Sequence, residues 1–189
     1  MKFSDDTTMR LYRQTVEDFA LYTGKELSDS EMENLKEAAG QMSAKMRAVR
    51  IVSASSVTKR DLQQRLIHKG EDEAQAREAV RWMSELNLLD DREVAAQVVR
   101  KCISRGYGIA RAKQMLYEKQ VPKQYWEEAL ADYPDMEEAI ADFLRSKLGS
   151  NPDEKDKKRA IDAALRRGHN YSQIRRALNS LDLDCMEEF

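Results

Sequence analysis

Apolar residues recur at helical spacing in almost every segment of this 189-residue chain. One stretch places them at positions i, i+3, i+4, i+7 and i+10, as in an amphipathic helix: Ala76, Ala79, Val80, Met83 and Leu86. No segment shows a sustained alternation of apolar and polar residues, so strands are not predicted. Only 7 Gly and 3 Pro occur, too few for the many tight turns of a sandwich or barrel. We therefore predict an all-α fold.

Residues with capping chemistry mark where the predicted helices begin. Ser28 is followed three positions later by Glu31, the capping-box spacing, and the apolar pattern extends this helix to about Val52. The other predicted starts are Thr58, Asp90, Pro122, Pro134, Asn151-Pro152 and Asn170. The predicted ends include Lys69-Gly70, Gly106-Tyr107-Gly108 and Gly168, because glycine closes a helix readily. Residues 9–22 are compatible with a short strand or a short helix.

An internal repeat of about 50 residues relates the helix ends. In each copy an apolar residue stands three positions before a basic one: Leu66 and Lys69, Leu116 and Lys119, Ala164 and Arg167. We predict three tandem three-helix repeats that stack into an elongated, curved array. The predicted boundaries are 1–28 for an N-terminal extension, 29–89 for repeat 1, 90–133 for repeat 2, and 134–189 for repeat 3 with the C-terminal tail.

Charge is strongly segregated along the chain although the net charge is only −2. Residues 41–70 carry +6, residues 120–156 carry −6, and residues 157–176 carry +6. Solvated faces of alternating helices would explain this pattern. Basic stripes that meet a polyanion would explain it as well.

Residue patterns typical of enzymes are missing. The two histidines, His68 and His169, have no Cys or His cluster nearby in the sequence, and we predict that both are solvated or touch a partner. Asp90-Asp91 is explained by a helix cap rather than by acid–base chemistry. No nucleotide-binding glycine loop occurs. We predict a protein that is not an enzyme and has no catalytic residue, metal or cofactor.

The remaining unusual residues have structural explanations. Cys102 and Cys185 are too far apart to suggest a metal or redox pair, and buried or inert thiols are predicted. Trp82 and Trp126 are predicted to pack in the core or between repeats, with partner anchoring as the alternative. The absence of a signal peptide and of a long apolar run predicts a cytoplasmic location and no membrane partner.

Three sequence runs resemble the RecX family of regulatory proteins. They are TKRDLQQRLIHKG, then ELNLLDDREVA at the end of the next helix, then SRGYGIARAKQMLYEKQV. The resemblance covers about residues 28–180, is specific through repeats 1 and 2, and is looser in repeat 3, where GHNYSQIRRAL matches in outline. Gln120 stands where repeat 2 would often carry Gly, and SASSVTK replaces an arginine-rich segment.

The resemblance implies a cytoplasmic regulator of homologous recombination and the SOS response. Proteins of this family lie in the groove of the RecA–DNA filament and restrain its growth, ATP hydrolysis and strand exchange. The implied partners are therefore RecA and single- or double-stranded DNA, with no small-molecule substrate. The candidate filament contacts are basic: Lys59, Arg60, Arg65, Lys69, Arg100, Lys101, Arg105, Arg111, Lys113, Arg166, Arg167, Arg175 and Arg176.

Two alternative functions remain open from the residues alone. A direct DNA-binding protein would use a short basic helix as a recognition helix, although base-reading Asn and Gln do not cluster at the helix starts. A protein-only adaptor would hold its partner through Trp82, Trp126 and methionine-rich faces. Tight sequence-selective binding to naked DNA would favour the first, and binding that is insensitive to salt would favour the second.

Overall fold

The computed structural model describes residues 1–3, 7–149 and 152–181. These residues form helices and one isolated antiparallel bridge between Lys2 and Thr8. The α-helices are Arg13–Asp18 (α1), Asp29–Ala54 (α2), Lys59–His68 (α3), Glu73–Glu85 (α4), Asp91–Ser104 (α5), Ile109–Glu118 (α6), Trp126–Leu130 (α7), Glu137–Lys147 (α8), Glu154–Arg166 (α9) and Tyr171–Asn179 (α10). The predicted all-α fold is confirmed, and the ambiguous segment 9–22 contains a helix.

The chain divides into two compact units, Met1–Asp90 and Asp91–Phe189. The first unit holds α1 to α4, and the second holds α5 to α10 with a 3₁₀ turn at Lys123–Tyr125 before α7. The predicted repeat boundaries and the predicted curvature of the array stay predictions.

The predicted caps are present at the starts of three helices. The Ser28 hydroxyl accepts a hydrogen bond from the Glu31 amide (3.3 Å), and the Glu31 carboxylate accepts one from the Ser28 amide (2.8 Å). Thr58 caps α3, and a second capping box joins Asn170 to Gln173 at α10. Asn151 lies outside the described residues. The residue that caps α9 is Asp153, which accepts from the Asp156 amide at 2.8 Å.

The middle helices α3, α6 and α9 end in the same way. After each last turn one residue has a positive φ: Gly70 at 89°, Gln120 at 54° and Gly168 at 88°. The following amide donates to the carbonyl five residues earlier, in the pairs Glu71–Leu66, Val121–Leu116 and His169–Ala164. This is the Schellman pattern. It buries the residue after the turn each time, namely Glu71, Val121 or His169.

Each set of three helices encloses its own buried cluster. The cluster of α2, α3 and α4 contains Ala44, Leu62, Leu66, Ala76 and Met83. The cluster of α5, α6 and α7 contains Val94, Val98, Cys102, Ala112 and Leu116, and that of α8, α9 and α10 contains Ile140, Leu144, Ala164, Ile174 and Leu178. Trp82 packs against the first cluster, and Trp126 packs against the second while donating to the Val121 carbonyl at 2.9 Å. The packing interpretation of both tryptophans is confirmed.

Leu86, which the apolar pattern placed on a buried face, is 49% exposed. Two further apolar residues, Ile67 and Ile109, are exposed to 40% and 39%. Each lies at a helix end or in the last turn, where the neighbouring helices no longer cover the stripe. The buried residue beyond α4 is Leu89, three positions after Leu86.

Candidate polyanion interface

The thirteen predicted contact residues lie on α3, α5, α6, α9 and α10, or directly after one of these helices. Ten have exposed side chains and three are half-buried, namely Arg65, Arg111 and Arg167. The middle helices α3 and α9 begin at polar capping residues, and all three middle helices end in positive-φ turns, so their basic residues are held at fixed positions on each helix surface. What distinguishes the candidates is whether an acidic side chain already neutralises them.

Candidates on α3 illustrate both cases. The Arg65 guanidinium pairs with Asp61 at 2.8 Å, and the carboxylate is only 13% exposed. Arg60 and Lys69 are exposed and have no ion pair among the residues that the structure describes. Lys59 occupies the first turn of α3 and is exposed as well.

Sequence reasoning missed two cations that face α3 from the long helix α2. Arg47 and Arg50 line a cleft of about 400 Å³ together with Arg65 and Lys69. Both lie in the +6 segment, residues 41–70, and their spacing of three places them on one helix face. That charge excess was the available signal, but it did not show which face of α2 meets α3.

Candidates in repeat 2 are divided in the same way. Arg100 pairs with Glu93 at 2.7 Å, and Arg111 pairs with Glu118 at 3.5 Å. Lys101, Arg105 and Lys113 are exposed, and their side chains have no ion pair within the described part of the chain.

Cys102, between two of these cations, is fully buried, and burial raises the pKa of its thiol. The predicted burial of this thiol is confirmed, whereas Cys185 lies outside the described residues.

Arg167 holds the end of α9 against the loop before α6. Its guanidinium donates to the carbonyl oxygens of Arg105 and Gly106, the latter at 3.3 Å. It also lies over two aromatic rings, 4.9 Å from the centre of Tyr107 and 4.5 Å from that of Phe143. These contacts occupy the guanidinium within the protein. We therefore leave Arg167 out of the proposed interface.

His169 is buried, so the prediction that it is solvated or touches a partner is wrong. Only 4% of it is exposed, and its Nε2 lies 3.1 Å from the Gly106 carbonyl oxygen. Burial lowers the pKa of His169, the Gly106 hydrogen bond opposes that change, and the charge of Arg167 adds to it. His68 is exposed, as predicted.

The other basic candidates of repeat 3 are exposed. Arg176 contacts two carboxylates, Asp135 at 2.9 Å and Glu137 at 3.4 Å. Arg166 has no ion pair within the described ranges, and Arg175 follows on α10. The candidate residues thus include both unpaired cations and cations that are paired with acids.

No helix in the described parts of the chain has the length and apolarity that crossing a membrane requires.

Comparison with known proteins identifies relatives that are named regulatory protein RecX. The family model described as the second three-helix domain of RecX matches residues 90–130. The curated regulatory protein RecX of Vibrio parahaemolyticus is 30% identical over 152 residues, which covers 79% of this chain and 98% of that protein. Its counterpart in Clostridioides difficile is 25% identical over 183 residues, covering 94% and 86%.

Solved structures share the fold. A crystal structure of regulatory protein RecX superposes with a TM-score of 0.70 at 17% identity, covering 94% of this chain and 91% of that one. RecX from Lactobacillus salivarius gives a TM-score of 0.64 at 20% identity, covering 77% and 98%. Because the Vibrio parahaemolyticus relative is matched over nearly its whole length at 30% identity, this chain belongs to the RecX family of regulatory proteins.

Proposed function

We propose that this chain binds the RecA–DNA filament and restrains its ATP hydrolysis, its growth and its strand exchange. In this proposal it acts in the cytoplasm as a binding protein, without catalysing a reaction. Family membership over nearly the full length of a curated regulator is the observation that carries the proposal.

The distribution of cations supports a filament rather than a small ligand as the partner. Exposed basic residues occur in all three predicted repeats, on α3, on α5 and α6, and on α9 and α10. A filament presents phosphates and protein carboxylates at regular intervals, so it can engage many separate cations at once. Each unpaired cation that neutralises a phosphate makes the binding weaker at higher salt.

The test measures RecA ATPase activity on single-stranded DNA with increasing amounts of this chain. We expect inhibition at less than one molecule per RecA protomer, and a reduced sedimentation of RecA with the DNA. The variant K101A/R105A/K113A removes three cations that have no ion pair among the described residues, and it should require about tenfold more protein for the same inhibition.

A matched control removes the same charge elsewhere. The variant R77A/R81A/R145A loses three exposed arginines that already pair with Glu73, Glu78 and Asp142, and it should inhibit like the unmodified chain. An unmodified chain that leaves RecA ATPase and strand exchange unchanged would refute the proposal. Equal losses in both variants would show that only net charge matters.

A further inference from the structure

A basic cleft lies between the second half of α2 and α3. Four cations line it, namely Arg47, Arg50, Arg65 and Lys69, together with the hydroxyl-bearing Ser55 and the apolar Ile51 and Ala54. Its volume is about 400 Å³, and none of the described residues that line it carries a carboxylate. Positive side chains that converge on one cleft repel each other, and a bound anion lowers that repulsion.

Two of the four cations are held in place by ion pairs with carboxylates. The Arg47 Nε lies 2.7 Å from Oε1 of Glu71, whose side chain is 6% exposed and also accepts from the Ser43 hydroxyl at 3.0 Å. Arg47 additionally donates a hydrogen bond to the Lys69 carbonyl. This carbonyl lies at the C-terminal end of α3, where a cation is favourable. Arg65 is held by Asp61. These contacts fix two guanidinium groups before any ligand arrives.

The other two cations carry positive charge that no carboxylate among the described residues neutralises. Arg50 and Lys69 are exposed, and neither has an ion pair among the described residues. Four cations and the two carboxylates that pair with them leave a net charge of +2 at the cleft. Guanidinium groups with fixed orientation and a flexible ammonium group are the set that proteins use for phosphate.

A second cleft adjoins the first and shares Arg65 and Lys69 with it. It has a volume of about 470 Å³ and is also lined by Gln64, Ile67, His68 and Asp61. Ile67 is 40% exposed and the His68 ring is exposed too, so this cleft offers an apolar edge and a flat ring. A base of a nucleic acid can stack on such a surface when it is not paired.

We propose that the two clefts together bind one single-stranded nucleic acid segment. A backbone phosphate occupies the α2–α3 cleft, and the adjoining nucleoside lies on Ile67 and His68. This inference rests on the proposed function insofar as a regulator of a RecA–DNA filament has a DNA strand within reach. The proposal assigns the phosphate contact to Arg50 and Lys69. It also adds Arg47 and Arg50 of α2 to the candidate interface.

The experiment uses the full chain without RecA, so that its outcome is independent of filament inhibition. Binding of a fluorescent deoxythymidine oligonucleotide is followed by anisotropy at several salt concentrations. The variant R50A/K69A should bind at least about tenfold more weakly at low salt, and the slope of log K against log salt should fall in magnitude by about 0.7, the value for one phosphate contact on a single strand.

The control R77A/R81A removes two arginines of the same unit that pair with Glu73 and Glu78. It should leave both the affinity and the slope unchanged, and far-UV circular dichroism should show unchanged helix content for every variant. An unaltered slope in R50A/K69A, or an equal loss in R77A/R81A, would overturn the phosphate assignment.

Two further arms test the nature of the ligand. The variant I67A/H68A should weaken binding to the single strand without changing the salt slope, and it should leave binding to a duplex of the same length unchanged. Unchanged single-strand binding would overturn the nucleoside half of the proposal. Inorganic phosphate should displace the oligonucleotide only at concentrations that act through ionic strength. Displacement at micromolar phosphate would show a site for free phosphate instead of a strand.

Discussion

The Nε2 of His169 lies 3.1 Å from the carbonyl oxygen of Gly106, although 63 positions separate the two residues in the chain. When Nε2 donates this hydrogen bond, Nδ1 is the unprotonated nitrogen, and it is buried with no hydrogen-bond partner among the residues that the structure describes. Protonation would therefore place an unsatisfied N–H and a positive charge beside Arg167. The hydrogen bond joins the end of α9 to the loop before α6, and the burial of a protonated imidazole beside Arg167 would oppose folding.

This geometry predicts a loss of stability in mild acid. Burial lowers the pKa of His169 below its ordinary value of 6.5, so the unfolded chain binds the proton more readily than the folded chain. The contribution of the neutral His169 ring to the free energy of unfolding is complete above about pH 6.5. It is lost as the pH falls from there to the pKa of His169 in the folded chain. Urea unfolding between about pH 8 and pH 5 should show a smaller pH dependence for His169→Gln, whose amide can still donate to Gly106.

His68 provides the control for this measurement because it is the other histidine and is exposed. The substitution His68→Gln should leave the pH dependence of unfolding as it is in the unmodified chain. An unchanged pH dependence in His169→Gln would show that the buried imidazole does not titrate in this range.

Arg167 is predicted to be a stability residue and Arg166 a binding residue, although the two are adjacent. Arg167→Ala removes two hydrogen bonds to carbonyls and the contacts with the Tyr107 and Phe143 rings, at a cost of about 2–3 kcal/mol in the free energy of unfolding. Arg166→Ala should stay within about 0.5 kcal/mol and should weaken DNA binding instead. Urea unfolding and anisotropy on the same two variants check both statements. A stable Arg167→Ala with weakened DNA binding would return Arg167 to the interface.

The difference between these two neighbours shows what sequence patterns can and cannot reveal. Local signals such as the Ser28 and Asn170 caps depend on residues three positions apart, and they predicted the helix starts correctly. The burial of His169 and the role of Arg167 depend on carbonyls more than 60 positions away. The local sequence, basic residues beside one histidine, by itself predicts that these side chains are solvated. The cleft between α2 and α3 was missed for the same reason, since it requires the packing of one helix on another.

Gly168 is predicted to be far less replaceable than Gly70, although both end a middle helix with a φ near 90°. A Cβ at Gly70 would meet nothing within 4 Å, so Gly70→Ala costs only the left-handed backbone strain, about 1–2 kcal/mol. A Cβ at Gly168 would lie 2.3 Å from the Arg111 amide nitrogen. Gly168→Ala should therefore cost about 2 kcal/mol more than Gly70→Ala. Thermal unfolding of both variants measures the difference, and equal costs would contradict the close approach of α9 to α6.

Gln120 occupies the equivalent turn after α6 at a φ of 54°, a conformation that favours glycine. Gln120→Gly should raise the free energy of unfolding by up to about 1 kcal/mol because the strain of a side chain in the left-handed region disappears. The comparison variant is Lys119→Gly, one position earlier at a φ of −83°, which should destabilise the protein. A lower stability in Gln120→Gly would mean that contacts of the Gln120 side chain outweigh the backbone strain.

The Glu71 carboxylate is predicted to set both the stability of the first unit and the charge of its cleft. Glu71→Gln keeps the side-chain volume but removes the charge that faces Arg47 at 2.7 Å, which should cost about 1–3 kcal/mol in the free energy of unfolding. The same change leaves one more uncompensated cation at the cleft, so a deoxythymidine oligonucleotide should bind more tightly, with a steeper salt dependence. Glu73→Gln is the control, since that exposed carboxylate pairs with Arg77 away from the cleft and should alter neither quantity. Lower stability together with unchanged DNA binding in Glu71→Gln would mean that Arg47 does not reach the bound strand.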